Sequence, residues 1–298
     1  MKQDYQDLLQ ADVINTVSGL SLISKVVVDS FLSGLNKSTS LGPGMEFSQY
    51  RGYNPGDDLR LMDWKMLARS GRYYIKQSEI ESPVTVKFVI DSSASMLHEE
   101  NGLKKIDVAK VLVACLAYLT QKQQDAVGLY ALNEKDVVSI YPKANTKQYN
   151  RLLLELLQIA PKSTWPKNSI ATTSITQGKA KELIFFITDM YEEDAELLSF
   201  IGSLKSIKNE VVVFQLLGQH EIDFDYKSNI TFEDLESGKR IKVNAQQAKM
   251  AYKANLEQLI TKTKDMLWSK GIAYHQFRMD QHLGEALQFY LKQRIKLN

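Results

Sequence analysis

Residues 84–95 read Val-Thr-Val-Lys-Phe-Val-Ile-Asp-Ser-Ser-Ala-Ser, a short apolar run that breaks into a carboxylate and three serines. A run of this length, bounded by turn residues and largely without polar alternation, is the pattern of a strand covered on both faces. A second run of the same kind, Leu183–Thr188, passes directly into Asp189. Around these two, strand and helix patterns alternate. Leu103–Gln121 predicts a helix and Ala126–Leu132 a strand, with Val137–Tyr141 as its hairpin partner. Tyr149–Ile159 predicts a helix, Glu193–Lys205 another with an acidic start, and Glu210–Leu217 a strand. Apolar strands separated by helices imply an α/β fold: a Rossmann-like, mostly parallel sheet with helices on both faces.

Outside this core the chain changes character. Residues 1–40 form an N-terminal helical segment, with Met1–Leu35 expected as helix. Residues 41–83 carry Gly42, Gly44, Gly52, Pro55, Gly56 and Gly71 among interleaved charges, with a tight turn at Asn54-Pro55-Gly56-Asp57 and a strand at Arg72–Ile80. The core takes residues 84–218 and an extension takes 219–298. The extension begins with a hairpin, Asn229–Glu233 and Arg240–Val243, turned at Glu236-Ser237-Gly238-Lys239. A helix follows from Ala245 to about Lys270, with Ala248, Tyr252, Leu256, Leu259, Ile260, Thr263 and Leu267 on one packing face. Ile272–Phe277 returns as a strand and Leu283–Ile295 as a helix. The N- and C-terminal segments are thus expected to add a small β-containing appendage to the core.

Composition narrows the function classes. The chain has 298 residues, 44% hydrophobic and 24% charged, which is globular. Lys plus Arg is 37 against 35 for Asp plus Glu, a net of +2, without the basic excess of a dedicated nucleic-acid binder. The total conceals two opposed blocks. Residues 182–238 hold thirteen acidic and three basic side chains; residues 239–298 hold twelve basic and four acidic ones. Either the blocks pack on each other or they serve separate partners. The single cysteine, Cys115, sits in an apolar run and reads as core. The most apolar N-terminal stretch, Val17–Leu32, is interrupted by Lys25 and Asp29 and falls short of the roughly 18 uninterrupted residues of a span. No integral membrane segment and a cytoplasmic location are therefore expected.

In open α/β sheets, ligands bind beyond the carboxyl ends of the strands at a topological switch point. Asp91 and Asp189 end two strands, and Ser93 and Ser95 follow the first. Carboxylate and hydroxyl oxygens suit a hard divalent cation, Mg²⁺ or Mn²⁺, whereas Zn²⁺ favours His and Cys. Each piece also has a plain structural reading. Asp91 or Ser93 can cap the helix that follows, and Asp189 the next one.

Asp91, Ser93 and Ser95, with Thr164 in Pro161-Lys162-Ser163-Thr164 and Asp189 in Ile187-Thr188-Asp189, resemble the metal-ion-dependent adhesion site of a von Willebrand factor A-like domain. The region from Gly44-Met45-Glu46-Phe47-Ser48 to Tyr74-Ile75-Lys76-Gln77 is similar to the signature of the bacterial domain of unknown function 58 family. It contains Tyr50-Arg51, Pro55-Gly56-Asp57-Asp58, Arg60, Asp63-Trp64 and Ala68-Arg69. Asp234-Leu235-Glu236-Ser237-Gly238 and Leu287 to Arg294 fit the same family. Two positions depart from the pattern. Met190 stands where many A-like domains have Gly, and Trp165 follows Thr164, leaving Ser163 or Thr172–Thr173 as competitors for its role. The resemblance implies a docking device rather than an enzyme, in which a partner's Asp or Glu completes the shell of the metal. It also implies a partner: a MoxR-type AAA+ ATPase, acting with this chain in assembly or maturation of protein complexes, or a client protein with an acidic docking residue.

Two further readings stay in view. Arg51, Asp57, Asp58, Arg60, Asp63, Arg69 and Arg72 either form a second interaction surface or, with Trp64, pin an irregular segment by ion pairs and packing. A metal-dependent hydrolase is the alternative function, with His98, Glu99 and Glu100 near the metal motif as acid or base. No Gly-x-Ser-x-Gly elbow, His-Glu-x-x-His pair or Walker-type loop accompanies them. The C-terminal lysines lack a base-stacking motif, so nucleic acid is not an expected partner.

Overall fold

The computed structural model describes residues 8–38, 47–78, 84–166, 175, 181–191, 195–226 and 228–297. It divides into two units, Met1–Phe31 with Pro83–Leu297, and Leu32–Ser82. The chain opens with α1 (Ala11–Ile14) and α2 (Val17–Ser38). One continuous helix was expected over Met1–Leu35. Residues 1–7 lie outside the described residues, and the helix breaks at Asn15–Thr16, because the Thr16 hydroxyl accepts the Gly19 N–H at 3.0 Å and starts α2 afresh. Gly19 is required there: a Cβ would stand 1.9 Å from the Val13 carbonyl oxygen.

Over Val17–Gly34, α2 is long and apolar enough to cross a membrane by length and composition. Leu20, Ile23, Ser24, Val27 and Val28 are nonetheless buried in the protein, and Asp29 pairs with Lys122 at 2.7 Å.

The smaller unit contains β1 (Phe47–Gly52), α3 (Trp64–Ser70) and β2 (Tyr74–Ser78), with β1 and β2 antiparallel. Residues 44–46 of the family-like segment, and Ile80, lie outside the described residues. The carboxylates of this segment are committed locally. Asp57 accepts from the Arg51 guanidinium at 2.7 Å and from Asn54 N at 2.8 Å, which holds its carboxyl below the usual range. Asp58 caps a short 3₁₀ turn, and Asp63 caps α3 through Lys65 N and Met66 N. The expectation that Trp64 pins the segment by packing is not met, because its side chain is 60% exposed.

The larger unit is built on β3 (Thr85–Asp91), which passes through a short 3₁₀ turn into the two-residue strands β4 (Glu99–Glu100) and β5 (Leu103–Lys104). The helix expected from Leu103 therefore starts at Lys105 as α4 (Lys105–Lys122). Then come β6 (Ala126–Leu132), β7 (Val137–Lys143), α5 (Thr146–Gln158), β8 (Glu182–Thr188), α6 (Ala195–Leu204) and β9 (Asn209–Leu217). After α7 (Gln219–Asp223), β10 (Asn229–Glu233) and β11 (Arg240–Asn244) form a separate antiparallel pair. The chain ends with α8 (Ala245–Ser269), β12 (Ala273–Arg278) and α9 (Leu283–Leu297). The β-containing additions are thus two separate hairpin pairs, and β12 joins the main sheet.

That sheet has the order β12-β9-β8-β3-β6-β7, parallel throughout except for β7. On one face Phe88, Phe185 and Phe214 stack at 5.7 Å spacings, and Tyr290 of α9 stacks on Phe185. On the other, Val89, Ile184, Phe186, Val211 and Val213 pack on Trp165, Phe200 and Ile201 of the core, reached also by Leu267 of α8. Burial on both faces explains the unbroken apolar runs.

The exception is Lys87 in the middle of β3. Its ammonium meets Glu182 of β8 at 2.5 Å, and both side chains are buried. Cys115 is buried as expected. Along α8 the proposed packing face is half-buried at Ala248, Tyr252, Leu256 and Ile260 and fully buried toward its end. Thr263 and Leu267 are buried, but Leu259 is 51% exposed.

Candidate functional site

The chain leaves β3 toward β6 on one side and later places β8 on the other, so the switch point of the sheet lies between the carboxyl ends of β3 and β8. Asp91 is the last residue of β3, and Asp189 follows β8 directly. Asp91 Oδ2 accepts the Thr188 hydroxyl at 2.7 Å, and its Oδ1 accepts Ser93 N at 3.0 Å. The Ser93 and Ser95 hydroxyls lie 2.9 Å apart, and Ser95 donates to Asp189 Oδ1 at 3.1 Å. Four of the five expected site residues therefore form one buried, hydrogen-bonded cluster. The capping reading holds for part of this: the Asp91–Ser93 bond is a local turn, and Asp189 accepts Tyr191 N at 3.3 Å. It does not explain the bonds between strands.

Thr164 is not in that cluster. Its loop is stitched to the β3 loop, with Ala94 N donating to Ser163 O and Lys162 N to Ser92 O. The Thr164 hydroxyl itself bonds to the Trp165 carbonyl at 3.4 Å. Ser163, a competitor for its role, donates to Glu134 instead, and Thr172–Thr173 lie outside the described residues. Met190 has φ of 58°, a left-handed conformation open to Gly without strain. This accounts physically for the glycine common at that position. Here the Met190 N–H donates to the Thr188 hydroxyl, 2.9 Å away.

Three residues not singled out for the site by sequence, Lys105, Glu221 and Glu236, complete its electrostatics. Lys105, the first residue of α4, is buried and bonds Asp189 Oδ2 at 3.1 Å and Glu221 Oε1 at 2.8 Å. Burial works against its charge, but the two carboxylates outweigh it and raise the ammonium above its ordinary pKa. Glu236, in the β10–β11 turn, is pushed up by burial and by Asp189 and Asp234, and drawn back by the Ser93 and Ser95 hydroxyls. Asp91, 2% exposed, is pushed up to about 7, first by burial and then by the charge of Asp189. Behind them, Gln215 Nε2 holds the Asp189 carbonyl at 3.1 Å, and the Tyr274 hydroxyl holds Gln215. Lys105 lies in an apolar helical stretch, where a lone lysine is a weak signal. Thr188 and Glu236 were within quoted motifs but had no assigned role.

The residues fit a hard divalent cation. The donors are all oxygen, and among the described residues the ammonium serving these carboxylates is Lys105, which bonds Asp189 and Glu221. Glu236 Oε1 is buried without a hydrogen-bond partner. Excess buried negative charge of this kind calls for a counter-charge.

Next to the site, His98, Glu100 and Glu221 hold ligand atoms within 4.8 Å of one another. Protein donors already serve these groups. Glu100 takes His98 Nε2 at 3.2 Å and His220 N at 3.1 Å, and Glu221 takes Lys105 and Gly218 N. Glu99 of the hydrolase reading is exposed. The two charge blocks mostly do not neutralise each other. Among the described residues the ion pair joining them is Glu233–Arg240 in the hairpin, while the buried acids Glu182 and Asp189 and the partly buried Glu221 use Lys87 and Lys105 of the core.

The chain is similar to several known proteins. The uncharacterized protein Rv1480 of Mycobacterium tuberculosis is 22% identical over 240 residues, 80% of this chain and 74% of that protein. BatB from Bacteroides thetaiotaomicron is similar in structure with a TM-score of 0.46 at 16% identity, over 72% of this chain and 99% of the other. A von Willebrand factor type A protein from Catenulispora acidiphila gives 0.36 at 18% identity, over 46% and 34%. The fold is mixed α/β, a six-stranded and mostly parallel sheet with helices on its faces. The family described as "Protein of unknown function DUF58" matches residues 49–261, well over half of the sequence, and the chain belongs to that family.

Proposed function

We propose that this DUF58 protein docks an Asp or Glu carboxylate of a partner through Mg²⁺ or Mn²⁺ held by Asp91, Ser93, Ser95 and Asp189, with Thr164 in the adjoining loop. The coarser statement, a protein-interaction module, follows from the von Willebrand factor A-like fold in this family. The observation that supports the finer one is the joining of two strand-end carboxylates and two hydroxyls at the switch point, with more negative charge than Lys105 balances. When bound, the cation supplies a coordination position that one carboxylate can fill.

The chain's own residues prepare that site. Thr188 and Ser93 N fix both oxygens of Asp91, Lys105 fixes Asp189, and Gln215 fixes the Asp189 backbone. The family resemblance supports an AAA+ ATPase of the MoxR type, or the client it works on, as the partner. We place the protein in the cytoplasm, with α2 as a helix of the domain; the Asp29–Lys122 pair supports this reading.

A ligand that binds only the native state at about 100 times its Kd adds about 2.7 kcal/mol. Excess Mg²⁺ or Mn²⁺ should therefore raise the melting temperature, and Asp91→Ala should abolish the rise. Affinity capture from native lysate should yield the ATPase or client with Mg²⁺ and lose it with EDTA. Capture that survives both EDTA and Asp91→Ala refutes docking through a metal.

A further inference from the structure

We propose that Glu236 is the chain's own ligand to this site: the β10–β11 turn inserts a carboxylate where a partner's carboxylate would enter, so docking requires this turn to withdraw. The inference rests on the cation-docking reading.

The hairpin register pairs Glu233 with Arg240, which leaves residues 234–239 to form the turn. Asp234 organises it. Its Oδ1 accepts Glu236 N at 2.9 Å, its carboxylate accepts the Ser237 hydroxyl, and its N–H donates to Lys239 O at 2.8 Å. Gly238, at φ of 70°, donates back to Asp234 O at 2.7 Å. A turn fixed in this way presents its side chains in set directions.

Most of those side chains face water: Leu235 is 45% exposed, and Ser237 is exposed as well. Glu236 is the exception. Its Oε1 is buried and has no hydrogen-bond partner, and the carboxylate lies near the Ser93 and Ser95 hydroxyls and under the charge of Asp189. A buried carboxylate oxygen with no donor, near a second carboxylate, is unfavourable unless a cation is shared between them.

The hairpin is anchored just short of the turn, one residue pair before Glu233 and Arg240. Phe232 packs on Phe224 and Tyr226 with ring centroids 5.9 and 5.3 Å apart, and Phe224 packs on Tyr252 of α8 at 4.4 Å. Anchoring at Phe232 leaves the turn as the part that can lift. Neither the family match nor the metal motif assigns Glu236 this role.

The test uses the full chain and Mn²⁺ alone as probe, with affinity from titration and inner-sphere water from proton relaxation. The wild type should bind Mn²⁺. Glu236→Gln should unfold, without metal, at a midpoint no lower than the wild type's, yet bind Mn²⁺ at least about tenfold more weakly. Its relaxivity per bound ion should rise, because water replaces the lost carboxylate. Added acetate should lower that relaxivity in Glu236→Gln and leave the wild type unchanged. Equal affinity and relaxivity in wild type and Glu236→Gln, with binding lost in Asp91→Ala, overturn the role of Glu236 and leave the docking reading standing. No Mn²⁺ binding by the wild type, or full binding by Asp91→Ala, removes the docking reading and this inference with it. Glu236→Ala, which removes the carboxylate altogether, should reproduce the Gln result; wild-type affinity in it counts against the inference.

Discussion

Replacing Asp91 by Asn should make the metal-free protein more stable at neutral pH. The Asp91 carboxyl is pushed from 3.8 up to about 7 in the folded chain by burial and by Asp189. Between those values the folded state holds a proton that the unfolded state has released. Stability therefore falls as pH rises through the window, by linkage. The contribution is full below pH 4 and is lost as pH passes 7. Three pH units at 1.36 kcal/mol each amount to about 4 kcal/mol. The Asn side chain keeps the shape and has no proton to lose. Urea denaturation from pH 4 to 8 in chelator should give coincident stabilities for wild type and Asp91→Asn at the acid end. At pH 8 the variant should lead by about 4 kcal/mol. Because a cation competes with the proton for Asp91, excess Mg²⁺ should restore the wild type at pH 8 and do little for the variant. Parallel pH profiles in chelator, or a variant less stable than wild type at pH 8, would refute the argument that Asp91 is buried as an uncompensated acid.

Lys105→Met leaves the buried Asp189 and the partly buried Glu221 without their ammonium and should cost about 3–5 kcal/mol in chelator by urea denaturation; Mg²⁺ should recover part of that loss. Lys87→Met alone should cost a similar amount, about 3–5 kcal/mol, whereas the double change Lys87→Met with Glu182→Leu should be neutral or stabilising by about 1–4 kcal/mol. A double-mutant cycle with no coupling would show that the pair does not interact. Gly218→Ala would place a Cβ 2.0 Å from Glu100 Oε1, so the carboxylate must leave His220 N. The expected loss is about 1–3 kcal/mol, measured as a lower urea midpoint.

The parallel core was legible because its strands are buried on both faces and therefore read as unbroken apolar runs. The site was legible in part for a related reason: a strand that ends in Asp announces both its end and its chemistry. What the sequence concealed depends on contacts between distant segments. Lys105 looks like an ordinary residue at a helix start until Asp189 and Glu221 surround it. Trp64 suggests core by composition yet is exposed. The break at Thr16 turns on a single hydroxyl bond inside an otherwise helical pattern. Thr164 was assigned from a motif, and its hydroxyl direction is set by a loop whose shape no spacing rule contains.

The position of β3 has a consequence for how the chain is made. Its neighbour β6 follows after one helix, but β8 begins about ninety residues after β3 ends. At about 5–20 residues per second, ribosomal synthesis leaves that side of β3 unpaired for about 5–20 s. An open apolar edge is a template for the wrong partner. Lys87, in the centre of β3, puts a charge on that edge during the wait, and Glu182 neutralises it on arriving with β8. The same ion pair that adds little to the finished fold thus protects the nascent one, and a chain with the apolar pair in its place would emerge more stable on paper and less soluble from the ribosome.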